Sequence, residues 1–343
     1  DIIGKIAEEL KIRVTQVEAA VNLIDEGNTI PFIARYRKEA TGSLDDEKLR
    51  ELGEKLEFYR ALDARRADVH RLIDEQGKMT EELANAIENA KTLSELEDIY
   101  RPYRPKRRTR ATIAAEAGLT PLAELMLEQN KGVDILAEAE KYINPEKKIE
   151  SAADAINGAK DIIAEQISDN AEYRKWIREF TFRTGKLVSK AKIEEDSVYR
   201  LYYDYNELLS KMPSHRVLAV DRGEKENILS VKVEVEKEKV CNYLRSQVLL
   251  GHNCSSTEYV GEASDDAYER LIAPSVQTEM RNLITDSAQE QAIRVFGENL
   301  KNLLMLPPVR GKVVMGFDPA YRTGCKIAIV NDVGDVLDTT VVY

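Results

Sequence analysis

The feature that most limits how this chain can fold is a helical repeat of apolar residues in its first two thirds. Five large side chains recur at spacings of three and four: Leu49, Leu52, Leu56, Tyr59 and Leu62. That spacing places them on one face of a helix. Helix-start signals precede such runs at Ser43 to Asp46, at Thr80 and at the Thr92-x-x-Glu95 capping box. The pattern predicts a chain that is nearly all helix up to residue 212.

The first forty residues predict three short helices joined by tight turns. Thr15 can cap the second helix, Gly27 can end it, and Pro31 fits the first turn of the third. This is the size of a helix-turn-helix unit, but an ordinary three-helix bundle has the same pattern. The apolar spacing alone favours the bundle, and both alternatives stay open.

The pattern changes at Pro213, where short strands are predicted. Residues 215–220 read as one strand, and 228–235 alternate polar with apolar residues, so a β-hairpin is expected. A helix follows over 277–306 and ends at Pro307-Pro308. Three short strands in the last 35 residues predict an antiparallel meander. The fold class is therefore mainly α, with a small mixed segment and a C-terminal three-stranded sheet. The predicted domains span residues 1–42, 43–212, 213–276, 277–308 and 309–343.

Charge and cysteine content exclude several classes of protein. The 343 residues include 50 basic and 61 acidic ones, a net charge of −11, so the chain is not a generally basic nucleic-acid coat, although a local basic patch is compatible. No apolar run approaches the roughly 18 residues of a membrane span. Cys241, Cys254 and Cys325 form no CxxC pair, which argues against a zinc ribbon or disulfide framework. We expect a cytoplasmic monomer without metal or cofactor. Because the chain lacks an initial Met and ends in a strand pattern, we also expect it to be part of a longer protein.

The most unusual stretch is the arginine-rich segment, residues 101–110. It contains six basic residues and no acidic one: Arg101, Arg104, Lys106, Arg107, Arg108 and Arg110. Two prolines are expected to keep it extended, and arginine suits phosphate because its planar fork donates two hydrogen bonds. Tyr103 could stack on a base. The alternative is ion pairing with the nearby Glu95, Glu97 and Asp98, and the two interpretations are compatible.

A smaller basic cluster follows the predicted third helix, at Arg35, Arg37 and Lys38. We count these residues as further candidates for phosphate contact. Cations at a helix C-terminus also complement the helix dipole, and this structural explanation is favoured by position alone.

One acidic residue, Asp318, is a weak catalytic candidate because it ends the first strand of the predicted meander. Ribonuclease-H-like nucleases place a metal-binding carboxylate there, but a two-metal site needs several carboxylates. An Asp before Pro319 is more often a turn former. We therefore predict no catalytic residue and no metal ligand set.

Four blocks of sequence resemble the bacterial Tex family of transcription accessory proteins. They are Ile30 to Glu39 with Thr41-Gly42, Thr92 to Ala111, Pro213 to Ala219 with Arg222 to Lys225, and Gly316 to Lys326. The resemblance implies a helical N-terminal region with helix-turn-helix-like elements, followed by the first strands of a YqgF domain of ribonuclease-H fold. Family members continue through helix-hairpin-helix repeats to an OB-fold RNA-binding domain. Asp318 matches the first acidic position of the YqgF motif, whose nuclease site is generally regarded as incomplete in this family.

Together these features predict a transcription accessory factor that binds RNA or DNA backbones non-specifically and is not itself an enzyme. The transcription or translation machinery is the expected protein partner, and no membrane is expected. Two alternatives stay open: a metal-dependent nuclease or resolvase acting through the YqgF domain of the full-length protein, and a pure protein-docking scaffold.

Overall fold

A computed structural model describes residues 1–105, 108–307, 309–320 and 322–343. Within them the chain divides into two compact units, residues 1–185 with 234–280 and residues 186–233 with 281–343. The helices are α1 (Ile2–Leu10), α2 (Val14–Asp25), α3 (Ile30–Tyr36), α4 (Asp46–Asp74), α5 (Glu81–Asn89), α6 (Leu93–Tyr100), α7 (Arg110–Glu116), α8 (Thr120–Glu128), α9 (Ile135–Glu140), α10 (Ala152–Asp169), α11 (Ala171–Thr184), α12 (Ser214–Lys225), α13 (Lys237–Val248), α14 (Thr257–Asp266) and α15 (Ala273–Leu304). The strands are β1 (Lys186–Ala191), β2 (Asp204–Leu208), β3 (Leu229–Glu234), β4 (Val314–Asp318), β5 (Cys325–Val330) and β6 (Val336–Val342).

The N-terminal part of the first unit confirms the three short helices and the long helix after them. Helices α1, α2 and α3 pack against the start of α4 around fully buried side chains that include Ile6, Val17, Ile33 and Leu49. Burial of these side chains stabilises the group, because each removes apolar surface from water. Asp45 caps α4 by accepting a hydrogen bond from the backbone of Lys48 at 2.8 Å.

The predicted caps of the next two helices are confirmed as well. The Thr80 hydroxyl accepts from the Leu83 amide at 3.2 Å, and Thr92 accepts from the Glu95 amide at the same distance. The Glu95 carboxylate in turn accepts from the Lys91 amide at 2.8 Å. Helix α10 then packs against α7, α8, α9 and α14, which places it in the middle of the first unit.

Two three-stranded sheets lie in the second unit, and one of them was predicted. Strands β4, β5 and β6 pair in sequence order and antiparallel, which confirms the C-terminal meander. The other sheet has the order β2-β1-β3, with β1 antiparallel to β2. The prediction that residues up to 212 are nearly all helical is therefore wrong at 186–208, where the alternation is short and interrupted by charges.

The β-hairpin predicted after Pro213 is also wrong. Residues 214–225 form helix α12, and β3 pairs with β1 instead of a hairpin partner. Val217, Val220 and Gly223 are buried at spacings of three, which places them on one face of a helix. A short apolar run fits a strand and a buried helix equally well, and here the residues form a helix.

No helix in the described parts of the chain is long and apolar enough to cross a membrane.

Candidate nucleic-acid interface

The smaller basic cluster lies in a rigid turn, residues 35–43, which we call the basic turn. Helix α3 ends at Tyr36, and the amides of Thr41 and Ser43 donate to the carbonyls of Arg37 and Lys38 at 3.2 and 2.7 Å. Thr41 is fully buried, and its hydroxyl also donates to both carbonyls at 3.3 Å. The backbone of the turn is therefore held in place independently of its charged side chains.

The cations of the basic turn are exposed and unpaired. Among the described residues, no carboxylate lies within 4.0 Å of Arg35, Arg37 or Lys38. The Arg37 guanidinium lies 5.2 Å from the ring centre of Phe32, whose ring is itself 5.2 Å from that of Tyr36. Tyr36 is 60% exposed. Three cations and two partly exposed aromatic rings thus share one surface, a combination that suits phosphates and bases.

A fourth cation, Arg13, belongs to this surface and was missed by the sequence analysis. Arg13 is exposed, and a Cβ atom on Gly42 would lie only 2.9 Å from its Nη2 atom. Gln16 links the two segments by donating to the carbonyls of Thr41 and Gly42 at 3.2 and 3.0 Å. Arg13 is distant from the cluster in sequence, so no local sequence pattern indicates that it belongs to this surface. The fold brings it next to the turn.

The arginine-rich segment is arranged differently. Lys106 and Arg107 lie outside the described residues, so four of its six cations can be placed. Three of these four pair with carboxylates: Arg101 with Asp169 at 3.1 Å, Arg104 with Glu97, and Arg108 with Glu116 at 3.7 Å. Arg110 is exposed at the first position of α7. The four described cations are therefore accessible but largely neutralised.

The expectation that prolines keep this segment extended is wrong at its start. Residues 101–103 form a 3-10 turn that continues α6, with Pro102 in its first positions. Proline is compatible with the first turn of a helix, because its fixed φ angle is helical and the missing amide has no partner there. Tyr103 is half-buried at the end of this turn and packs against the core beside α4.

Of the three carboxylates expected as ion-pair partners, only Glu97 pairs with one of the four described cations of this segment. Glu95 pairs with Lys175 at 2.9 Å. Asp98 is buried between Arg174 at 2.9 Å and Arg178 at 2.6 Å, a group we call the buried ion network. Burial, followed by repulsion from the nearby Arg101, lowers the pKa of Arg174, and the neighbouring Asp98 opposes that change. The pairing alternative is therefore right in kind but wrong about most of the partners.

Asp318 ends β4, where the register places it opposite Lys326 of β5. Nowhere in the described ranges do three or more His, Cys, Asp or Glu side chains gather in a way that could hold a metal ion. Asp332 and Asp335 belong to the turn between β5 and β6, where the Asp335 amide donates to the Asn331 side chain at 2.8 Å. The register therefore gives Asp318 a lysine as its cross-strand neighbour.

Comparison with known proteins identifies the family. Three family models match along the chain: the Tex-like protein N-terminal domain over residues 1–74, the Tex central region over 130–296, and the Tex protein YqgF-like domain over 312–343. The chain belongs to the Tex family. The basic turn lies inside the first Tex match, whereas the arginine-rich segment lies between the first and the second.

Individual relatives within the Tex family agree with this assignment. The uncharacterized protein YdcI of Bacillus subtilis is 44% identical over 343 residues, which cover 99% of this chain and 48% of the relative. Protein tex of Bordetella pertussis is 41% identical over 362 residues, 100% of this chain and 45% of the relative. The transcriptional accessory protein Tex of Neisseria gonorrhoeae is 38% identical over 346 residues, 98% and 45%. The chain thus spans about half the length of these Tex proteins.

Proposed function

We propose that this part of a Tex-family protein binds the phosphate backbone of RNA or DNA without sequence preference, and that it does so as a transcription accessory factor without catalysis. The observation that carries the proposal is the basic turn, in which Arg35, Arg37 and Lys38 are exposed, have no carboxylate partner among the residues that the structure describes, and lie on a backbone held by hydrogen bonds. The name of the gonococcal relative, a transcriptional accessory protein, agrees with this role.

Cations without a carboxylate partner favour binding because they break no existing ion pair when they contact a phosphate. An arginine that already bonds a carboxylate must exchange that partner, and an exposed pair is worth about 0–1 kcal/mol. The paired cations of the arginine-rich segment can therefore still be recruited, but with a smaller net gain for each contact. Arg13, whose guanidinium donates to the Gln16 side chain at 3.3 Å, adds a further exposed charge beside Gly42.

Non-specific binding through phosphates has two measurable consequences. Each phosphate contacted releases condensed counterions, so affinity falls as salt rises, with a slope of about −0.7 per contact on single strands and −0.9 on duplex DNA. Affinity at a given salt concentration is expected to be the same for unrelated sequences.

The three free cysteines, Cys241, Cys254 and Cys325, suit a reducing compartment, and we place this activity in the cytoplasm.

The test is fluorescence anisotropy with three unrelated single-stranded RNA oligonucleotides of equal length, titrated at several salt concentrations. We expect equal affinities and a clear salt slope. A variant that carries Arg35→Gln, Arg37→Gln and Lys38→Gln should have a slope weaker by about 2, one increment for each lost contact. Binding that is independent of salt, or a variant with the slope of the unaltered chain, would overturn the proposal. Cleavage of the RNA during the titration would contradict the absence of catalysis.

A further inference from the structure

Helices α11 and α13 together build a stack of aromatic rings that no part of the proposed function uses. The Trp176 ring lies parallel to that of Tyr243, with ring centres 3.6 Å apart and planes 10° apart. On its other side Phe180 stacks at 4.9 Å and 7°. We call Phe180, Trp176 and Tyr243 the aromatic ladder. All three rings are half-buried, so the ladder reaches the surface of the first unit.

The two ends of the ladder differ. The Tyr243 end is approached by Tyr173, whose ring stands at 89° to it with centres 6.3 Å apart. Among the described residues, Phe180 has Trp176 as its ring partner and no aromatic neighbour on its other side. In the described part of the chain no other aromatic ring covers the outer face of Phe180, and we call this face the open end.

A cation stands beside this open end. Arg183 follows Phe180 by three residues on α11, and residues at that spacing are neighbours on a helix surface. Arg183 is exposed, and no carboxylate in the described parts of the chain lies within 4.0 Å of it. An open aromatic face with an unpaired guanidinium next to it is the pairing of groups that recognises a base and its phosphate in single strands.

We propose that the open face of Phe180 receives an unpaired nucleobase of a single-stranded nucleic acid, while Arg183 contacts the adjacent phosphate. This inference rests on the proposed function and specifies it, because it selects single strands over duplexes. Every base has a π-face, so stacking adds affinity without adding sequence preference. Bases in a duplex are already stacked and paired, and they do not reach such a platform.

The experiment uses the emission of Trp176, which is the one tryptophan of the chain and lies in direct contact with Phe180. Single-stranded RNA and DNA of twelve nucleotides are compared with an abasic strand of equal length and with a duplex. Anisotropy of the labelled strands reports binding separately. We expect the base-bearing single strands to quench Trp176, with the abasic strand and the duplex binding but leaving its emission unchanged. Quenching by only one of RNA and DNA would support the stacking and identify the preferred strand.

Two matched variants separate stacking from packing. Phe180→Leu keeps an apolar side chain but removes the ring, and Phe182→Leu makes the same change at an exposed neighbour. Loss of one stacked base should raise the dissociation constant of Phe180→Leu for base-bearing strands about fivefold or more. Its affinity for the abasic strand should not change, and Phe182→Leu should match the unaltered chain.

The outcomes distinguish this inference from the proposed function. If every strand binds with the same salt dependence and none changes Trp176 emission, the aromatic ladder is only a packing element and the inference is overturned, while the proposed function stands. If no strand binds at any salt concentration, the proposed function is wrong and this inference falls with it. The comparison of base-bearing and abasic strands needs no variant, so it decides the question even if Phe180→Leu does not fold.

Discussion

The basic turn and the arginine-rich segment hold cations in opposite ways. In the basic turn, Arg35, Arg37 and Lys38 have no carboxylate partner among the described residues, and the turn is fixed by backbone bonds and by Thr41. In the arginine-rich segment, three of the four placed cations bond carboxylates. The comparison shows that the number of cations in a stretch of sequence does not determine the charge that is available to a ligand. What counts is the charge left after the protein's own carboxylates have bound.

The ion pairs formed by these arginines range from exposed to deeply buried. Arg108 pairs loosely at the surface, Arg101 pairs with a mostly buried carboxylate, and Arg174 is almost fully buried beside Asp98. The more deeply a pair is buried, the more its partner matters for folding and the less its cation can serve binding. The following predictions test the two ends of this series.

The largest effect is expected at the buried ion network. Asp98→Asn leaves Arg174 and Arg178 buried without their shared carboxylate, and removing one partner of a buried pair costs about 3–5 kcal/mol. Urea unfolding should show that loss in the free energy of unfolding. Asp68→Asn, which removes an exposed partner of Arg71, is the control and should change it by less than about 0.5 kcal/mol. Equal losses of unfolding free energy in the two variants would mean that the contribution of an ion pair to stability does not depend on its burial.

A carboxylate added to the basic turn should make it resemble the arginine-rich segment. Ala40 lines the same pocket as Arg35, Arg37, Lys38 and Glu39, so Ala40→Glu places a second carboxylate there, which competes with phosphate for the cations. Affinity for single-stranded RNA should fall about threefold at low salt, as expected for one exposed charge interaction, and the melting temperature should not change. Ala40→Gln controls for size. An unchanged affinity for Ala40→Glu would show that nucleic acid does not contact this turn.

The reverse change should release a cation in the arginine-rich segment. Glu97→Gln removes the carboxylate that Arg104 shares with Arg65, and we expect affinity for RNA to rise about twofold, with less than about 2 kcal/mol lost from the free energy of unfolding because two partly exposed pairs are broken. Glu116→Gln, which removes the long contact to Arg108, should leave both quantities unchanged. A drop in affinity for Glu97→Gln would indicate that pairing positions Arg104 for binding and does not neutralise it.

The smallest effect concerns the pH dependence of stability. Burial raises the pKa of Glu95, but hydrogen bonds from Lys175 and the Lys91 amide outweigh it, so the pKa lies below its ordinary value in the folded chain. The folded state therefore gains stability from Glu95 above the ordinary carboxyl pKa, near 4.5, and loses it as pH falls through the lower folded value. Glu95→Gln should flatten the unfolding free energy between about pH 5 and 3 relative to the exposed control Glu82→Gln. A steeper profile would contradict the sign of the shift.

Much of the fold follows from local patterns, and the rest depends on distant partners. Helices α1 to α4 were predictable from the apolar spacing, although α2 begins at Val14, so Thr15 lies inside the helix and is not its cap. The meander was predictable because its strands are joined by short turns. Strands β1 and β2 are short and charged, and Val217 and Val220 fit a strand as well as a helix.

The interface was harder to predict for the same physical reason. Arg101 meets Asp169 across 68 positions of sequence, so no local window shows that it is neutralised. Arg13 reaches the basic turn, and Tyr243 reaches Trp176, only through the packing of separate helices. The basic turn itself was visible in sequence, but its lack of partners was not.

The central claim is that unpaired cations, and not the densest ones, bind the phosphate backbone. The most direct measurement compares salt slopes of RNA binding for two variants that each lose three charges. One carries Arg35→Gln, Arg37→Gln and Lys38→Gln, and the other Arg101→Gln, Arg104→Gln and Arg108→Gln. We predict that the first weakens the slope by about 2 and the second by less than 1. The opposite order, with the folded state intact in both, would contradict the account.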